Sequence, residues 1–287
     1  MTTRPERVPA EELRQRMLDA GRELTLEAGA ALTIEHLRLE EVIQRARVPR
    51  SSAYRLWPYK EDYTDDLLSY LAGEGSWFSD KPVLDPETFS MVRQLMAEYR
   101  AMASTLAGRR ALLCEIVRVT TERNYRALAE SAQWRLHMAL VATLGSTRTG
   151  DARRRIATAL EDAQDRSRAT MVAMYEFLRS ELGLRMRDPA RTAEHLQLAG
   201  GLLVQSLALR NVQVQAAIGA PGEGDGSGPG SPDGASAVVR HVDDLLNQPI
   251  PGPGLDGGTA VWTLPAFAYL GVVDAFAELD PDFVPAS

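Results

Sequence analysis

Apolar residues recur at spacings of three and four through most of the chain, and nowhere do they alternate convincingly with polar ones. That period suits helices with one buried stripe and argues against half-buried strands. From Glu11 to Ala28 the stripe is Leu13, Met17, Ala20, Gly21 and Leu24, with Gly29 as a stop. A short helix is expected over Leu39–Ala46, with Leu39, Val42, Ile43 and Ala46 on one face. Val48-Pro49 breaks it, and Pro49 suits the opening turn of a second short helix, Arg50–Trp57, which Pro58 ends. Another runs from Lys60 to Leu71. After Pro86, helices are expected over 86–105, 108–144 with a break near Thr121 to Tyr125, 150–182 and 189–217. Ala237–Asn247 and an apolar segment over Trp262–Phe276 complete the series. The expected class is all-α, with no sheet.

Of 287 residues, 45% are hydrophobic and 25% charged, so the chain can bury a substantial core. Residues 1–8 read as a polar arm, and Met1 to Arg14 holds no apolar run of the secretory kind. The most apolar window, His195 to Leu209, is interrupted by Gln197 and Gln205 and falls short of a membrane span. Cys114 is the only cysteine, so no internal disulfide can form. A cytoplasmic protein with no membrane partner is expected. Residues 219–236, rich in Gly, Pro and Ser, cannot bury apolar surface and read as a flexible loop. A second breaker spans Pro249 to Gly258.

Net charge is −7, but its distribution is uneven. Between Val42 and Lys60 lie Arg45, Arg47, Arg50, Arg55 and Lys60, with no acidic residue among them. A basic patch on an acidic chain suits a small nucleic-acid-reading module on a larger body; the alternative is an ordinary solvated face. Within this stretch Ala53 and Trp57, four apart, share one helix face, which leaves Arg50, Ser51, Ser52, Tyr54 and Arg55 mostly outside. Arg can bond a guanine edge bidentately, Ser can donate or accept, and Tyr can reach a phosphate oxygen. Tyr59 and Lys60 stand at the start of the next helix, where free N–H groups favour phosphate.

These residues resemble the TetR family of regulators. The resemblance runs from Leu18-Asp19-Ala20 and Glu27-Ala28-Gly29 through Val42-Ile43, Ala46 and Val48. It continues through Arg50-Ser51-Ser52-Ala53-Tyr54-Arg55, Trp57-Pro58 and Lys60-Glu61, and covers about residues 10–70. It implies an N-terminal three-helix helix-turn-helix domain over 1–60. A larger helical ligand-binding and dimerisation domain would cover 61–287, carrying the loop 219–236. Arg50, Ser51 and Ser52 would face bases, Tyr54, Tyr59 and Lys60 would hold phosphates, and Arg55 could do either. Arg38 and Arg47 would add positive charge beside them. Four positions depart from the family pattern. Arg47 stands at the glycine of the turn, where a positive φ costs about 1 kcal/mol. Pro49 replaces a capping Ser, Ser51 replaces a Gly, and Arg38 replaces a capping Thr.

The resemblance further implies a repressor that a small-molecule effector releases from a palindromic operator. It also implies a homodimer built on helices 150–182 and 189–217. On the second of these, Leu196, Ala199, Leu203, Leu207 and the Gly200-Gly201 pair are candidates for the contact, against the alternative of a helix packed within its own chain. Candidate ligand contacts are Tyr99, Met102, Cys114, Trp134, His137, Met138, Met174 and Tyr175, against the alternative, favoured for any single one, of ordinary core. No cofactor, metal ligand set or catalytic residue is expected. The four histidines lie far apart, the Gly-rich run follows no strand, and no G-x-S-x-G occurs. The rival readings are an enzyme and a helical dimeric interaction protein whose helix-turn-helix is degenerate.

Overall fold

Helix α1, Ala10–Glu27, presents Leu13, Met17, Leu18, Ala20 and Gly21 to a core, close to the stripe its sequence spells out. The computed structural model describes residues 9–27, 37–73, 86–144, 150–219 and 237–285. The expected arm 1–8, the stop at Gly29 and residues 220–236 of the expected loop lie outside the described residues. Packing divides the chain into two units, residues 1–82 with 131–167, and residues 83–130 with 168–287.

In the first unit α1 is followed by α2, Leu39–Ala46, α3, Arg50–Leu56, and α4, Lys60–Ala72. To these are added α7, Ala132–Thr143, and the first half of α8, Gly150–Leu182. Their shared core holds Met17, Leu18, Val42, Ala53, Trp57, Leu67 and Leu71 from α1–α4 and Leu136, Leu140, Ile156 and Leu160 from α7 and α8. Helices α1 and α4 approach closely at Gly21, where an added Cβ would lie 2.1 Å from the Tyr63 hydroxyl. That hydroxyl donates to the carbonyl of Met17 at 2.9 Å, so a buried phenol is satisfied where the helices cross.

The second unit contains α5, Pro86–Glu98, a 3₁₀ turn at Arg100–Ser104, α6, Leu106–Glu130, and the second half of α8. It continues through β1, Leu184–Met186, α9, Ala193–Gly219, and α10, Ala237–Asn247. The chain then runs through β2, Ile250–Pro253, β3, Thr259–Trp262, α11, Leu264–Phe276, and β4, Ala277–Leu279. Helix α6 packs against α9 and α11 around Leu112, Ile116, Trp262, Ala266 and Leu270. The C-terminal segment closes this core. Arg109, nearly fully buried, donates to the carbonyls of Asp280 at 2.7 Å and Phe283 at 3.2 Å, and its guanidinium lies over the Phe283 ring. The Phe283 ring seats against Gly183, whose φ of +70° and missing Cβ both require glycine there.

The described residues are mostly helical, as expected, but the expectation of no sheet is corrected by two short antiparallel ribbons. β1 pairs with β4 in the register Leu184↔Leu279, and β2 pairs with β3 in the register Ile250↔Trp262. Strands of three or four residues are too short to show a period of two, and Pro and Gly punctuate β2. The long helix expected over 108–144 breaks at Ser131, not near Thr121, because the Ser131 hydroxyl caps α7 by accepting from the Trp134 N–H at 3.1 Å. Thr121 and Tyr125, both modest helix formers, are buried on α6, and this packing keeps them helical.

Candidate functional site

Helices α2 and α3 are joined by Arg47, Val48 and Pro49. The Arg47 N–H donates to the Gln44 carbonyl at 3.2 Å and the Val48 N–H to the Ile43 carbonyl at 3.3 Å. This pair of bonds is a Schellman turn, with Arg47 in the left-handed position at φ 53°, ψ 43°. Arg47 is the one non-glycine residue with positive φ among the described residues. Val48 and Ile43 both belong to the core beneath it, as the apolar pair of such a turn does. Pro49 holds the N-cap position of α3 at φ −64°, and its carbonyl accepts from Ser52 at 2.9 Å and Ala53 at 3.2 Å. No side chain caps the start of α2, α3 or α4.

α3 is anchored as its sequence predicts. Ala53 and Trp57 are buried, and Trp57 meets Tyr63 edge to face at 5.2 Å. The Trp57 indole N–H donates to Asp66 Oδ2 at 3.0 Å, so the ring is fixed at both its apolar and its polar edge. With that face turned in, Arg50, Ser51 and Arg55 are exposed, and Ser52 and Tyr54 are half-buried at its margin. Arg38 is exposed at the start of α2, Arg47 is exposed in the turn, and Tyr59 and Lys60 are exposed at the start of α4. Arg38, Arg47, Arg50, Ser51, Arg55, Tyr59 and Lys60 are thus all exposed between the start of α2 and the start of α4.

Acidic partners temper this surface, and none was visible in the sequence pattern. Glu40, in the first turn of α2, accepts from Arg50 and from the Tyr54 hydroxyl, each at 2.7 Å on the same oxygen. The hydrogen bond from Tyr54 and the charge of Arg50 hold its carboxyl below the usual carboxylate range. Arg50 also lies 5.5 Å from the Tyr54 ring centroid. Arg45 turns away to α1 and bonds both oxygens of Glu27, at 2.7 and 2.8 Å. One of the basic residues counted in the run is therefore neutralised within the first unit. These acids sit ten or more residues from their partners, with no local spacing to betray them.

The second unit contains a cavity of about 80 Å³ between α6, α8, α9 and α11. Leu113, Ile116, Met171 and Leu178 supply apolar wall, and Asn124 and Gln197 supply amides. Met174 and Tyr175, two of the expected ligand contacts, also line it. Of the others, Cys114 is buried in the core of the same unit, with Tyr99 and Met102 packed against that core. Burial pushes the Cys114 thiol up, away from thiolate reactivity. Trp134, His137 and Met138 lie on α7 in the first unit. Burial pushes the His137 pKa down to about 4, so it is a neutral core imidazole near pH 7.

On α9, Leu196 and Gly200 face inward, and an added Cβ at Gly200 would lie 2.3 Å from the Tyr269 ring of α11. Gly200 thus serves helix approach within the chain, while Leu198 and Leu202 are the leucines that α9 leaves largely exposed. Among the described residues no helix is long and apolar enough to cross a membrane, and no cluster of side chains could hold a metal ion. No family model, curated protein or solved structure matches this chain.

Proposed function

We propose that this chain is a dimeric, TetR-like transcription regulator that reads an operator with α3 and is released from it by a small molecule, acting as a repressor. The observation that carries the reading is the α2–turn–α3 arrangement. A three-residue turn sets two short helices, Ala53 and Trp57 anchor the second one, and Arg50, Ser51 and Arg55 face outward from it. A short helix held by its apolar face and offering Arg and Ser to solvent is what direct reading of base edges in a major groove requires. One such helix reads few base pairs, so a two-fold pair is the natural unit. The exposed Leu198 and Leu202 on α9 supply an apolar surface for it. The cavity of the second unit is the proposed effector site.

A second reading is a helical dimeric interaction protein whose helix-turn-helix no longer reads DNA. The contacts of Arg50 and Tyr54 with Glu40 favour it, because they occupy groups that DNA would need. Selection of bound duplexes from a random-sequence DNA pool by the full chain separates the two. Enrichment of an inverted repeat with half-sites about 34–36 Å apart is the expected result. Recovery of no motif from a chain that is dimeric in sedimentation would favour the interaction protein.

A further inference from the structure

The cavity of the second unit says what kind of molecule it can hold. None of the described side chains that line it carries a charge. Ile116, Met171, Met174 and Leu178 give it an apolar wall. An ion entering such a space would lose its hydration with no partner to replace it. Thr120, Thr121, Tyr175 and Gln197 add neutral polar groups, and alongside them Asn124 and Tyr269 stand out. The Asn124 side chain lines the cavity, and its Oδ1 is buried with no hydrogen-bond partner. A buried amide oxygen left unpaired is uncommon and unfavourable, and a ligand that supplies a donor relieves it. Tyr269, seated against Gly200, forms another side, and burial pushes its hydroxyl up to about 12, so it stays a neutral phenol.

Volume adds a second constraint. At about 80 Å³ the cavity is smaller than the roughly 150 Å³ of a dry apolar cavity that accepts benzene. A molecule of benzene's size or larger, the probes named below included, therefore enters by displacing Met171 and Met174, whose unbranched side chains move readily.

We infer that this cavity binds an uncharged, mainly apolar small molecule that carries an amide or hydroxyl group, with Asn124 as the residue that recognises that group. The inference rests on the regulatory reading only for what the ligand does once bound.

Four probes of equal chain length test it on the full chain by calorimetric titration: pentanamide, pentanol, pentanoate and pentylammonium. Pentanamide and pentanol should bind at least about tenfold more tightly than either ion. Asn124→Leu should weaken pentanamide about tenfold. Ala193→Phe, at a half-buried position on the cavity wall, should abolish binding of both neutral probes and serves if the Asn124 variant does not fold. Equal or tighter binding of an ion, no binding of pentanamide, or pentanamide affinity unchanged in a folded variant would overturn the inference. The regulatory reading is judged separately by adding pentanamide to a DNA complex. Binding without any shift in DNA affinity leaves the ligand class standing and removes the link to regulation.

Discussion

The Tyr54 hydroxyl of α3 donates to Glu40 Oε1 of α2 at 2.7 Å, and Arg50 shares that oxygen. In the proposed complex with DNA both donors are wanted elsewhere, Arg50 by a base edge and Tyr54 by a phosphate. Glu40 therefore competes with DNA and also places a negative charge beside the backbone phosphates. Glu40→Gln should raise affinity for any duplex, by up to about fivefold for an exposed pair of this kind. The gain should be larger on operator, where the freed Arg50 finds its base, than on competitor, which gains only from the lost negative charge and the freed Tyr54. Titration of both duplexes checks this, and an unchanged or lower affinity would mean that Glu40 orients Arg50 for binding instead of restraining it.

Arg47 occupies the left-handed position of the Schellman turn. An L-residue with a Cβ is strained there and glycine is not, so Arg47→Gly should stabilise the first unit by about 1 kcal/mol. Gly also loses more backbone freedom on folding, which makes this an upper figure. Urea unfolding gives the comparison. The same variant removes an exposed positive charge, so DNA affinity should fall while stability rises. Stability that falls with it would show that the Arg47 side chain contributes to the fold.

His137 is neutral in the folded protein, with a pKa lowered from 6.5 to about 4. The unfolded chain takes up a proton below about 6.5, whereas the folded chain resists until about 4. Stability from this group is therefore complete above pH 6.5 and falls as pH drops, by up to about 3 kcal/mol at pH 4. His137→Gln should flatten that part of the pH profile relative to the unsubstituted protein. Parallel profiles from pH 7 to 4 would place the acid sensitivity in other groups.

Arg109 ties α6 to the C-terminal segment through the carbonyls of Asp280 and Phe283. Arg109→Met keeps the stem but leaves both carbonyls without their donor, and should destabilise the second unit by about 2–3 kcal/mol. Truncation after Leu279 should cost at least as much, because it removes both carbonyl acceptors and the Phe283 ring packed on Arg109 and Gly183. Thermal melting of the two variants checks this, and wild-type melting in both would mean the clamp is dispensable.

Much of this architecture was legible where physics is local. Pro49, Pro58 and Pro86 mark helix starts and ends because they lack an N–H, and the Ala53/Trp57 spacing gives the buried face of α3 directly. The ribbons were not legible. β1 finds its partner β4 some ninety residues on, and neither strand is long enough to show alternation. The Ser131 cap was readable in principle, but the break was expected near Thr121 to Tyr125, where Thr121, Asn124 and Tyr125 are weaker helix formers, and core packing keeps them helical. At the site, inward and outward residues of α3 followed from helical period alone. The grip of Glu40 on Arg50 and Tyr54 did not, because it depends on how α2 and α3 cross. Likewise Met174 and Tyr175 share a cavity while Trp134 and His137 do not, since that follows from which unit each helix joins.

The most direct measurement is fluorescence anisotropy of the full chain with duplex DNA from its own promoter region, at two salt concentrations and against competitor DNA. Selective binding that weakens steeply with salt is expected of a phosphate-anchored reader. Arg50→Ala should then cost about 1–3 kcal/mol on the promoter duplex and little on competitor. Binding that is weak and equal for promoter and competitor, with Arg50→Ala indistinguishable from the unsubstituted chain, would contradict the assignment of α3 as a reader of DNA.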